Sequence, residues 1–179
     1  MTLDLEHTIA LLERTPGALD ELLRGLPEEW TSRNEGGDSW SPREIVGHLS
    51  HAERTDWMPR ERHLLEFGES QPFPPFDRMG QRKQMEGKGI GELLAEFAAL
   101  RLASLDQLRE LDPGSAEMER RGVHPSLGTV TMGQLLATWA AHDLTHLHQV
   151  ARVMAFQYRD LVGPWSKFLG VMQCSGHSS

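Results

Sequence analysis

Three of the chain's nine histidines, His142, His146 and His148, fall within seven residues. Neutral imidazole is a common ligand for divalent metal ions, so their spacing decides what they can do. They sit in a segment that reads as helix from Met132 to Tyr158. Residues four apart on a helix stack on one face, so His142 and His146 point the same way, one turn apart. Gln149, three residues further, joins that face. His148 lies about 200° around the helix from His146 and points elsewhere. Two stacked imidazoles can share one divalent ion, but two ligands are too few for a firm site. A third must come from another part of the chain. The protease pattern H-E-x-x-H is absent: Asp143 stands where that motif has its glutamate base.

The elements that must position these residues follow from the apolar pattern. Ser41-Pro42-Arg43-Glu44 is a helix start, with Ser41 as N-cap, Pro42 in the first turn and Glu44 closing a capping box. The helix that follows runs toward Trp57, with a kink expected at Pro59 and an end near Phe67. On it, His48 shares a face with Ile45, Ala52 and Thr55, so a histidine stands on an otherwise core-like face. His51 falls at the edge of that face. Glu53 points away from it, toward a role in packing or a helix–helix hydrogen bond. His48 is the candidate for the third ligand. The competing reading is that each histidine is a hydrogen-bonded polar residue near the surface.

Two further helices are expected. Residues 3–25 carry leucines at mixed spacing, with a joint near Thr15 set by Pro16 and an end at Pro27. Ile90–Leu111 repeats apolar residues at helical spacing and stops at Pro113-Gly114. Residues 31–38, 68–89 and 114–130 read as loops, and no convincing strand is visible. Thr131-Met132-Gly133-Gln134 opens the last long helix with a capping-box pattern. Gly163-Pro164-Trp165 begins a short final helix reaching Val171. Four amphipathic helices with two long connections predict an all-α four-helix bundle with crossovers. We expect one domain over residues 1–172 and a frayed tail over 173–179.

With 179 residues, 39% hydrophobic and 25% charged, the chain is long enough to bury a core. A formal charge of −8 argues against nucleic acid as a partner. Arg120-Arg121 is offset by Glu117 and Glu119 and reads as a solvated turn. No apolar run approaches the roughly 20 residues needed to span a bilayer. Met1-Thr2-Leu3-Asp4-Leu5-Glu6 lacks the basic start of a signal peptide, and the single Cys174 fits a reducing compartment. A cytoplasmic protein is the expectation.

The segment Trp40-Ser41-Pro42-Arg43-Glu44-Ile45-Val46-Gly47-His48-Leu49-Ser50-His51-Ala52-Glu53 resembles the second-helix signature of the DinB/YfiT-like superfamily. Thr138–Gln149, with His142-Asp143 and His146-x-x-Gln149, resembles its fourth-helix signature. Thr15-Pro16, Leu127-Gly128 and Val162-Gly163-Pro164-Trp165 resemble one subgroup, so the likeness spans nearly the whole chain. It implies a bundle in up-down-down-up order and a metal held by His48, His142 and His146, with His51 and His148 outside the ligand set. Characterised relatives include metal-dependent thiol transferases that use small cellular thiols, and a thiol-dependent isomerase.

The function expected first is therefore an enzyme acting on a small-molecule substrate. One divalent ion, zinc or nickel first among the metals imidazole suits, would activate a small thiol or a water. Thiol transfer with a small cellular thiol is the expected reaction, with metal-dependent hydrolysis as the alternative. Gln149 is the candidate for orienting substrate or bound water, with a packing amide as the alternative. Asp143 is the candidate acceptor for a ligand imidazole, with a solvated helix flank as the alternative. Cys174 is not expected at the metal. A different class of function, a metal- or small-ligand-binding stress-response protein without turnover, fits the same residues. A homodimer is expected from the wide apolar arcs of the third and fourth long helices.

Overall fold

The computed structural model describes residues 3–174. The first arm of the bundle is two helices, α1 (Leu5–Leu12) and α2 (Arg14–Leu23), followed by a turn of helix, α3 (Glu28–Ser32), that overlaps the start of the expected loop over 31–38. The second arm is also two, α4 (Pro42–Thr55) and α5 (Trp57–Phe67). Each break has the same cause. Pro16 and Pro59 stand at the third position of α2 and α5, where an N–H has no intrahelical partner. Continuing the preceding helix through them would lose a hydrogen bond and drive the ring into a carbonyl one turn back. The joints thus fall at Glu13 and Asp56, slightly earlier than the prolines suggest.

A long crossover carrying the single turn α6 (Gln81–Gln84) leads to α7 (Ile90–Leu111), which matches its sequence pattern end to end. A turn of helix, α8 (Ser115–Met118), and an antiparallel hairpin, β1 (Arg121–His124) and β2 (Gly128–Thr131), precede the 25-residue α9 (Met132–Phe156). Both capping boxes form: Ser41 N donates to Glu44 Oε2 at 2.8 Å and Thr131 N donates to Gln134 Oε1 at 2.9 Å. The chain then closes with two 3-10 segments, Gly163–Phe168 and Gly170–Met172, in place of one short α-helix. Of the expected tail, Gln173 and Cys174 are described, each hydrogen-bonded back to the last turns. Residues 175–179 lie outside the described residues.

The core falls into two layers, and these give the order of the arms. One layer joins Leu19 and Leu23, late in the first arm, with Ile45 and Leu49 early in the second, Leu93 and Phe97 early in α7, and Val150 and Val153 late in α9. The other joins Ile9 and Leu12 with Trp57 and Leu64, Leu105 and Leu108, and Leu136 and Trp139. Arms one and four therefore run one way, and arms two and three the other: an up-down-down-up four-helix bundle.

The hairpin corrects the expectation of no strand. Val123, Thr129, Val130 and Thr131 are β-branched, and Gly128 takes the left-handed conformation (φ 77°) that closes the turn. The hairpin docks on the crossover: Phe73 N donates to Val123 O at 2.8 Å. A Cβ on Gly122 would lie 3.0 Å from Phe73 Cζ, so only glycine lets that ring in so closely. No helix of the described residues is long and apolar enough to cross a membrane.

Candidate metal centre

His48 comes from the middle of α4, and His142 and His146 from the middle of α9, where the two helices pack face to face. Their Nε2 atoms converge. His142 Nε2 lies 3.1 Å from His48 Nε2 and 3.0 Å from His146 Nε2. Ligands on a tetrahedral ion with bonds of 2.0–2.1 Å stand about 3.4 Å apart, so a small outward adjustment would seat one. Trp40 stacks on His146 and tilts against His48, while Trp57 sets its edge to His142.

The hydrogen bonding supports that use. His146 Nδ1 lies 2.7 Å from Gln149 Oε1, an oxygen that can only accept. The ring proton is therefore on Nδ1, and Nε2 keeps its lone pair. His142 Nε2 then faces two neighbours with a single in-plane hydrogen or lone pair. A proton there serves both contacts only by bifurcation, whereas a cation would satisfy all three nitrogens. Protonation is disfavoured too. Burial, then the neighbouring imidazoles, push His48 down to about 3 and His142 to about 2. Burial also lowers His146, outweighing the opposing effects of Gln149 and Asp143. Three neutral, convergent imidazoles, two buried and His142 partly so, could hold a metal ion.

Gln149, with its amide on His146, is buried on the far side of that ring from the other nitrogens. Asp143 is fully buried and makes a different contact. Arg101 of α7 donates to both its oxygens, at 2.5 and 2.9 Å. The same guanidinium donates to Glu53 Oε1 at 2.8 and 3.0 Å and to Leu12 O at 2.8 Å, and Trp139 Nε1 also donates to Glu53. So Glu53 does join helices. The Nδ1 atoms of His48 and His142 are buried with no partner among the described residues. Arg101 escaped the sequence reading, although it stands four residues from both Phe97 and Leu105, a charge on the apolar face of α7.

A cavity of about 560 Å³ opens beside the cluster, with His48 and His142 in its wall. Trp40, Trp57, Phe73 and Phe76 supply much of the rest. Asp56, Arg60, Arg78 and His124 add charge and polarity that the sequence did not flag. Asp56 occupies the joint between α4 and α5, and His124 ends β1. His51 takes no place in the cluster. Its Nε2 donates to Asp77 O at 2.9 Å and its Nδ1 accepts from Gln84, which pins the crossover beside Phe76. His148 is exposed.

A four-helix bundle in this order with three inward imidazoles is a helical scaffold that could hold a metal ion. The family model of the DinB superfamily matches residues 11–150, and the chain belongs to that superfamily. A solved structure, YfiT from Bacillus subtilis, superposes with a TM-score of 0.69 over 89% of this chain and 90% of its own, at 18% identity. It is described as a probable metal-dependent hydrolase with an unusual four-helix bundle topology. No curated protein matches the sequence.

Proposed function

We propose that this protein is a metal-dependent hydrolase of a small-molecule substrate, with His48, His142 and His146 as ligands of one divalent ion. The observation that carries the reading is the convergence of three Nε2 atoms beside a cavity whose wall includes His48 and His142. The likeness to YfiT favours hydrolysis over the other reactions such a centre could run. Bound there, the ion would act as a Lewis acid and lower the pKa of a water, or of a small thiol in its place.

The chain's own residues have separable tasks. Gln149 holds the His146 ring in the tautomer that leaves Nε2 free. Asp143, clamped by Arg101, fixes the turn of α9 between the two histidines. Trp40, Trp57 and Phe76 form apolar walls that keep bulk water from the nitrogens. Asp56 is the sole carboxylate among the residues lining the cavity. Arg60 Nε lies 2.6 Å from its Oδ1. Burial raises its proton affinity and Arg60 opposes that, which suits a group that must take a proton from water and return it.

The test begins with metal analysis of protein purified without an affinity tag, where zinc or nickel is expected. A panel of ester and amide substrates is then assayed with and without small thiols. Asp56→Asn should lower turnover about a hundredfold with metal content unchanged. Turnover only when a thiol is supplied would replace hydrolysis by thiol transfer. A metal-loaded protein with no turnover in either screen would point to a binding protein instead.

A further inference from the structure

The cavity wall is largely apolar, and its charged groups are already engaged. Trp40, Trp57, Phe73 and Phe76 turn rings toward it. Neither guanidinium in the wall is free: Arg60 Nε lies 2.6 Å from Asp56 Oδ1, and Arg78 is engaged as well. His124 differs from both. Its Nδ1 accepts the backbone N–H groups of Ser126 and Leu127, each at 3.2 Å. A nitrogen that accepts carries no proton, so the ring proton is on Nε2, which has no partner among the described residues. The hairpin holds the ring in place: Phe73 meets it edge to face, and Phe73 N donates to the adjoining Val123 O at 2.8 Å.

We propose that the cavity takes an uncharged, ring-bearing ester or amide, and that His124 is its specificity-determining donor, giving Nε2–H to an oxygen of that substrate. The inference rests on the cavity being the substrate site of the hydrolase proposed above. Four aromatic rings accommodate a flat apolar body, and a volume of about 560 Å³ suits a small molecule. A neutral carbonyl oxygen loses little on leaving water when a donor replaces the hydrogen bonds it gives up. A carboxylate loses far more, and the guanidiniums that could offset the loss have partners already. Burial, then Arg60, lower the proton affinity of His124, so it stays a neutral donor at neutral pH. The donor belongs to a pinned turn, so the substrate's oxygen must come to it, and a substrate without one in that place forgoes the bond.

Metal-stripped full-length protein is titrated by calorimetry at neutral pH with three ligands of one skeleton. Benzylacetone carries a carbonyl, butylbenzene a methylene in its place, and hydrocinnamate a carboxylate. Removing the metal keeps the carboxylate from simply coordinating it. Benzylacetone should bind about tenfold more tightly than hydrocinnamate. His124→Leu should weaken benzylacetone about fivefold and leave butylbenzene nearly unchanged, and His124→Gln, which keeps a donor, should recover most of the loss. In the parent protein, proton–nitrogen NMR should show His124 as the Nε2–H tautomer, with its Nε2 resonance moved by benzylacetone and not by butylbenzene. Hydrocinnamate binding as tightly as benzylacetone, an Nδ1–H tautomer, an Nε2 resonance that ignores benzylacetone, or a benzylacetone affinity untouched by His124→Leu overturns the proposal. The NMR result decides even where His124→Leu loosens the hairpin. Each of these failures can occur in a protein that still hydrolyses esters when its metal is restored, and then the hydrolase reading stands and this inference fails alone. The expected preferences in a protein without turnover on restored metal would instead sink the hydrolase reading and leave the cavity a ligand site.

Discussion

Two polar clusters share the middle of α9, separated by less than a turn. On one side His142 and His146 meet His48; on the other Trp139 and Asp143 meet Glu53 and Arg101. The second cluster is built around an ion of the chain's own, although Glu53 Oε2 is buried with no partner among the described residues. Its guanidinium spends its donors on two carboxylates and a carbonyl, and the Phe97 and Trp139 rings flank it. The first cluster has no such charged centre. Three nitrogens face one another at or near hydrogen-bond distance with too few protons, and two further ring nitrogens are buried without partners among the described residues. A cluster that supplies its own central cation holds the fold together; one whose nitrogens converge on a point with no cation is where something else is meant to bind.

The comparison is broken most directly at Arg101. Arg101→Ala leaves Glu53 and Asp143 buried and unpaired, and breaking a buried pair costs about 3–5 kcal/mol. Arg101→Met refills the volume but not the charge, so it should recover only part of that loss. Urea melts of both variants measure it. An Arg101→Ala protein as stable as the parent would show the ionic cluster to be dispensable.

The histidine cluster should respond in the opposite manner. In metal-free protein, His48→Ala should cost little, since it relieves a crowded, unsatisfied site. In metal-loaded protein it should abolish both the bound ion and the stability the ion adds, about 3–4 kcal/mol at free metal 100 to 1,000 times Kd. His142→Ala and His146→Ala should behave alike, while His51→Ala and His148→Ala should keep the metal. Metal content by elemental analysis, with paired melts, decides it. Full occupancy in His48→Ala would remove the three-histidine centre.

What the sequence made legible divides along the same line. The histidines lie on long helices with strong periodicity and capping boxes at Ser41 and Thr131, so local rules placed them on definite faces. The turn at Thr131 even starts α9 in the register that brings His142 and His146 inward. Asp56, Arg78 and His124 were not legible, because each sits at a joint, crossover or hairpin whose position depends on contacts distant in sequence. Phe73 on Gly122 and the bond from Phe73 N to Val123 O are such contacts. The β-branched residues flanking Gly128 were a signal for the hairpin, but four-residue strands are too short for periodicity to register. Arg101 was legible in principle, as a charge at apolar spacing. Its partners were not, since their pairing requires three helices to be already in place.

A third buried polar group sharpens the comparison by having neither a partner nor a role. Glu61 of α5 is 1% exposed, and neither carboxylate oxygen has a partner among the described residues. Burial alone pushes it up to about 8, so at neutral pH it is mostly the neutral acid. Its effect on stability has the opposite sign to that of the histidines. A raised folded pKa gives stability that is fully present below the unfolded value near 4.5 and is lost as pH rises through about 8. The depressed histidines give stability that is present above about 6.5 and is lost as pH falls toward about 3. Metal-free protein should therefore be most stable near pH ~6.5, declining on the acid side through the imidazoles and on the alkaline side through Glu61. Glu61→Gln, which mimics the neutral acid, should leave stability at pH ~5 nearly unchanged and raise it at pH ~8.5 by on the order of 1–2 kcal/mol. His48→Ala should flatten the acid limb without altering the alkaline one. Chemical denaturation of the three proteins across that range reads both limbs. An alkaline decline that persists undiminished in Glu61→Gln would mean that the buried carboxyl already has a partner in solution and is not the group whose ionisation costs stability.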